Sequence, residues 1–134
     1  MVKIEARYDG RNKCSLSHEE GSTLKTDAPK DIGGDAGAFS PTDLVAAALA
    51  SCVLTTIAMF AARHDIDITG ATANIGKEMA SNPRRIGRLP LTVTLPASVP
   101  IEMRTTLERV GHQCPVHASL REDVDAPITY VYGP

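Results

Sequence analysis

Val2, Ile4, Ala6 and Tyr8 alternate with Lys3, Glu5, Arg7 and Asp9. A period of two puts the apolar set on one face of a half-buried strand, which ends at the turn signal Asp9-Gly10. Cys14 and Leu16 continue the alternation on the way back. Glu20-Gly21 turns the chain again, and Leu24 lies in a third short strand. The chain therefore opens as an antiparallel meander. Residues 27–39, DAPKDIGGDAGAF, form a long loop rich in Gly, Asp and Ala. Loops of that length inside compact domains are often functional.

The pattern changes at Ser40-Pro41-Thr42-Asp43, which reads as a helix start. Ser40 suits the cap and Pro41 the first helical position, where a missing N–H costs nothing. Asp43 falls at the capping-box position, where an acid meets the positive helix end. The helix runs to about Arg63. Ile66, Ile68, Ala73 and Ile75 predict a strand, and Ser81-Asn82-Pro83 a turn. Leu89, Leu91, Val93 and Leu95 alternate at period two and predict another strand. Pro90 places it at an edge or a bulge. Pro100 opens a second helix, with Ile101, Leu107 and Val110 on one face and Gly111 closing it. Cys114-Pro115 begins a short third helix, and Ile128 to Tyr132 form a last strand. The expectation is a single α+β domain over residues 1–134, with no internal repeat.

Leu44 to Ala62 contains no charged residue, and that length approaches a membrane span. The stretch is mostly Ala, Ser, Thr and Cys, however. Its flanks are Asp43 and Arg63-His64-Asp65 rather than a Lys/Arg-biased loop. The reading is a helix buried nearly all round, with a partner subunit covering part of it. Hydrophobic residues make up 43% of the 134, enough for a normal core. A net charge of −2 offers no basic surface for a phosphate backbone, and five aromatic rings without Trp offer no base-stacking platform. Neither nucleic acid nor membrane is expected as a partner. The N-terminus lacks an apolar h-region, and three cysteines do not suit a disulfide scaffold, so a reducing cytoplasmic setting is expected.

Chemistry then falls to the cysteines. Cys52 lies mid-helix, with Val45, Ala48, Leu49, Thr55, Thr56 and Met59 as neighbours by helical spacing. It is too far from the helix start to feel the dipole. Its plainest role is that of a small buried hydrophobe. Cys114 stands where a cap belongs, beside free backbone N–H groups that lower a thiol pKa. On physical grounds alone it is the more reactive of the two. Cys14 shares a strand face with Leu16 and reads as core filler. No G-x-S-x-G elbow supports a serine hydrolase, and the Gly33-Gly34 loop matches no phosphate-binding fingerprint.

The run from Phe39 through Ser40-Pro41-Thr42-Asp43 to Ser51-Cys52 resembles the central helix motif of the OsmC/Ohr family. Cys114-Pro115-Val116-His117 resembles that family's second cysteine motif, and the element order agrees over nearly the whole chain. The resemblance implies an intertwined homodimer with sites at the subunit interface. It also implies thiol-dependent reduction of hydroperoxides, organic ones especially, without a cofactor or metal. Cys52 then matches the peroxidatic cysteine and Cys114 the resolving one, which reverses the ranking drawn from physics. An external dithiol would recycle the disulfide; in Ohr-like relatives it is a protein-bound lipoyl group. The family's strong peroxidases also use an N-terminal arginine and a glutamate near the helix start. Arg11 and Arg7 are the candidates for the first. Thr42 stands where the Ohr-branch acid falls, ten residues before Cys52, and Asp43 matches the acid of the broader OsmC-like pattern.

Two other readings compete. His112, Cys114 and His117 form H-x-C-x-x-H and could ligate zinc with Cys52 as a fourth ligand. Alternatively, the fold holds an apolar small molecule beside Cys52 without turning it over.

Overall fold

A computed structural model describes all 134 residues, which fall into two compact units, Met1–Val45 and Ala46–Pro134. The N-terminal unit holds β1 (Ile4–Gly10), β2 (Lys13–His18) and β3 (Thr23–Asp27) in an antiparallel sheet of that order. The register pairs Tyr8 with Cys14, Ala6 with Leu16 and Cys14 with Thr26. The predicted alternation is thus realised, and one face collects Ile4, Ala6, Tyr8, Cys14, Leu16 and Leu24. Within the single chain this face is not closed over. Ile4 and Tyr8 remain about two-thirds exposed and Cys14 is half-buried, so Cys14 does not act as core filler within this chain.

The loop after β3 is organised by Asp27, which is 1% exposed. Its carboxylate accepts N–H groups from Asp35 (3.2 Å) and Gly37 (3.0 Å) and meets Lys13 Nζ at 3.4 Å. Gly34 is required there, because a Cβ would overlap the carbonyl of Ala28. The Gly37 N–H, the Lys13 ammonium and the Asp35 N–H hold the Asp27 carboxyl below its ordinary range, against the opposing effect of desolvation. A depressed native pKa contributes stability that is present above the ordinary carboxylate range and lost as pH falls through the native value. We therefore expect Asp27→Asn to lower Tm at pH 7 by on the order of 5 °C. It should also flatten the loss of stability between neutral pH and pH 3, measured by thermal melts across pH.

α1 (Pro41–Ala62) begins in the N-terminal unit and continues into the second. Its start is a reciprocal capping box: Asp43 N–H donates to Ser40 Oγ (3.1 Å), and Ser40 N–H donates to Asp43 Oδ2 (3.0 Å). By length and composition α1 is apolar enough to cross a membrane, and a third of its most apolar window is buried. Burial is confined to the stripe Ala46, Leu49, Val53, Ile57 and Ala61. The opposite stripe, Ala48, Ser51, Thr55 and Met59, is exposed, so the single chain does not bury this helix all round.

The second unit continues with β4 (Thr72–Ile75), β5 (Glu78–Ala80), β6 (Arg85–Arg88) and β7 (Leu91–Leu95). α2 (Ile101–Gly111), α3 (Pro115–Ser119) and β8 (Ile128–Tyr132) complete it. Ile66 and Ile68 precede β4 rather than belong to it; Asp65, at φ 58°, ends the helix in the left-handed region. The β5–β6 hairpin around Ser81-Asn82-Pro83 escaped the pattern because its strands are short and carry Glu78, Arg85 and Arg88. β7 is central, antiparallel to β4 and parallel to β8. Pro90 is tolerated because it lies just before the first paired residue, not because the strand is an edge. Parallel pairing demands a long crossover, and residues 96–127 supply it with α2 and α3.

The core joins the buried stripe of α1 to Leu89, Leu91, Val93, Leu95, Val99 and Leu107. Ile101, expected on the inner face of α2, is 78% exposed. Gly111 ends α2 in helical conformation. It is small because a Cβ would lie 2.3 Å from the Tyr130 hydroxyl and 3.0 Å from Ile57 Cδ1. It serves close packing, not the left-handed cap expected of it.

Candidate active site

The crossover delivers Cys114 to the N-cap of α3, with Pro115 at the first helical position. Its Sγ accepts the His117 N–H at 3.2 Å. The predicted cap is therefore formed, but Cys114 is 0% exposed. Burial is the dominant influence and pushes the thiol pKa above its ordinary value. The His117 N–H pulls it down, and the Cys52 thiol, within hydrogen-bonding reach, pushes it up again. Desolvation thus outweighs the helix terminus, and the lowered thiol pKa expected of this cap is not found at Cys114.

Cys52 projects from the middle of α1 and is partly exposed. Thr56, one turn further on, places Oγ1 3.9 Å from its Sγ. Both cysteines are free thiols in one unit, side by side, and the outer one is the more accessible. Chemically this is a dithiol pair: one sulfur reachable from solvent, the second waiting protonated behind it.

Tyr130, on the wall behind Cys114, donates its hydroxyl to the Glu108 carbonyl (3.0 Å) and packs against the His112 ring at 6.0 Å. Burial, then Glu108 and Cys114, push its pKa up to about 12, so it stays a neutral donor. Tyr132 donates to Glu108 Oε2 (2.8 Å) under the Arg104 guanidinium, 4.2 Å from the ring centre. Neither tyrosine was singled out in the sequence. Their alternation in the last strand marks the face, but only the fold shows what the face meets.

The arrangement does not fit a metal centre. His117 turns Nε2 to the Ala126 carbonyl (3.3 Å), and the His112 ring lies edge-on to it at 6.2 Å. No group of three or more His, Cys, Asp or Glu side chains converges.

The remaining candidates belong to the N-terminal unit. Arg7 lies on the polar face of β1, 72% exposed, paired with Asp9 at 2.9 Å. Such an exposed pair contributes little. Arg11 is not on a strand at all; it occupies the β1–β2 turn at φ 55°. Asp43 is engaged in the capping box, two and a half turns before Cys52. Thr42 shares a hydrogen bond with Ser40 Oγ at 3.2 Å.

Known proteins agree with this architecture. Residues 33–128 match the family described as OsmC-like protein. A Psychrobacter arcticus protein, provisionally assigned to the osmotic stress and detoxification response, is 34% identical. The match covers 97% of this chain and 96% of that one, with a TM-score of 0.92. Two organic hydroperoxide resistance proteins share the fold. The one from Legionella pneumophila is 22% identical, with a TM-score of 0.75 over 98% of this chain and 96% of that one. The one from Elizabethkingia anophelis is 21% identical, with a TM-score of 0.73 over the same shares. No curated protein sequence matches significantly. With both cysteine motifs inside the matched span and a relative this similar end to end, the chain belongs to the OsmC-like protein family.

Proposed function

We propose that this protein is a cytoplasmic thiol-dependent peroxidase that reduces organic hydroperoxides in oxidative stress defence. The observation that carries the reading is the pairing of a partly exposed Cys52 with a buried, protonated Cys114. The Cys52 thiolate attacks the terminal oxygen of the hydroperoxide. The O–O bond breaks, sulfur is oxidised to the sulfenic acid, and the alkoxide leaves and takes a proton to become the alcohol. Cys114 then gives up its proton and attacks the sulfenic sulfur. A disulfide forms and hydroxide leaves as water. An external dithiol returns both cysteines to thiols by exchange and is itself oxidised to a disulfide. A protein-bound lipoyl group is the dithiol that the family resemblance suggests. The hydroperoxide resistance neighbours support the substrate class. One equivalent of cumene hydroperoxide, followed by disulfide mapping, should yield a Cys52–Cys114 bond within minutes. Two unreacted thiols would exclude turnover and favour a protein that only binds an apolar molecule beside Cys52.

The active form in this reading is a homodimer. The exposed α1 stripe and, separately, the open apolar face of the meander each need a cover, and a second copy of the chain carries both surfaces. Light scattering after size exclusion should give twice the 14.2 kDa chain mass, and Met59→Glu should shift it toward the monomer. A monomeric wild type would remove this part of the reading.

A further inference from the structure

α1 carries no charged residue from Leu44 to Ala62, and Cys52 lies beyond the reach of the dipole at the helix start. Its neighbour Cys114, buried and protonated, offers Cys52 only a weak S–H donor and no positive charge. One hydroxyl on the helix itself lies within hydrogen-bonding reach of Cys52 Sγ: that of Thr56, with Oγ1 at 3.9 Å. The i to i+4 spacing stacks the two side chains on one face. Thr56 is partly buried and lies beside the buried Ile57 in the sequence of the helix. A hydroxyl donates weakly to a neutral thiol and roughly twice as strongly to a thiolate, so this contact favours the charged form.

We propose that Thr56 is a catalytic residue whose hydroxyl donates to Cys52 Sγ and stabilises the attacking thiolate. The assignment deepens the peroxidase reading and rests on it for its role in turnover. The competing role for a helical threonine is donation to the carbonyl four residues back, which is also that of Cys52.

Valine keeps the shape of Thr56 and removes the hydroxyl; serine keeps the hydroxyl. The test follows alkylation of Cys52 by iodoacetamide against pH, read by peptide mass spectrometry on reduced protein with no peroxide present. Thr56→Val should raise the midpoint by about one pH unit, and Thr56→Ser should restore it to within a few tenths. At pH 7 the Thr56→Val rate should fall only about threefold, since a tenfold loss of thiolate is partly offset by greater nucleophilicity of the more basic sulfur. Circular dichroism confirms that both variants fold. An unchanged midpoint in Thr56→Val, or Thr56→Ser behaving like valine, overturns the assignment and leaves the hydroxyl on the carbonyl. A shifted midpoint in a wild-type background that consumes no hydroperoxide sustains Thr56 as the thiolate donor, while the peroxidase reading falls.

Discussion

Cys52→Ser should abolish hydroperoxide consumption, by on the order of 10³-fold or more, because a serine hydroxyl at neutral pH is neither ionised nor able to form the sulfenic acid. Cys114→Ser should behave differently. The first turnover survives and leaves Cys52 as a sulfenic acid trappable by dimedone; later turnovers stop because nothing resolves it. The second step also carries a pH signature. Cys114 reacts as thiolate, yet burial holds its pKa above the ordinary thiol value, so at neutral pH the ionised fraction is below about one in thirty. The lifetime of the sulfenic acid in wild type should therefore shorten steadily from pH 6 to 9. Rapid-mix trapping at several pH values measures this directly. Oxidation of Cys114 before Cys52, or a lifetime independent of pH, would reverse the roles assigned here.

Leu49→Ala should produce the largest loss of stability among single core truncations near the site. Leu49 is 0% exposed and lies three residues before Cys52, on the stripe of α1 that meets the buried leucines and valines around β7. Truncation removes three buried carbon atoms and leaves a cavity that a helix fixed along its length closes poorly. The expected cost is about 2–5 kcal/mol. Against a total of about 5–15 kcal/mol this is a large fraction. Urea denaturation should show a lower midpoint at unchanged slope. Because the same helix turn positions Cys52, disulfide formation should slow in the variant even where it remains folded. A midpoint within error of wild type would mean that this stripe is not the core.

Much of this protein is legible in its sequence. The period-two alternation in Ile4–Tyr8 and in Leu91–Leu95 set strand faces, because only one register hides the apolar set. Ser40-Pro41-Thr42-Asp43 set the start of α1, because capping chemistry is local. The resemblance of the two cysteine motifs was specific enough to name the family. What escaped was decided by neighbours distant in sequence. The β5–β6 hairpin has too few residues and too much charge to show a period. Gly111 looked like a cap, yet it is small because Tyr130 and Ile57 close on it.

The cysteines show the division most sharply. The sequence determined that Cys114 caps a short helix behind Pro115 and that Cys52 sits mid-helix among apolar residues. Local rules alone then made Cys114 the reactive thiol. Only the tertiary structure shows how deeply that thiol is buried. The crossover from β7 to β8 carries Cys114 into the core beside Cys52, where loss of water outweighs the His117 N–H, while Cys52 keeps contact with solvent and a hydroxyl one turn away. Desolvation is a property of everything packed around a group, and no stretch of sequence around Cys114 encodes it.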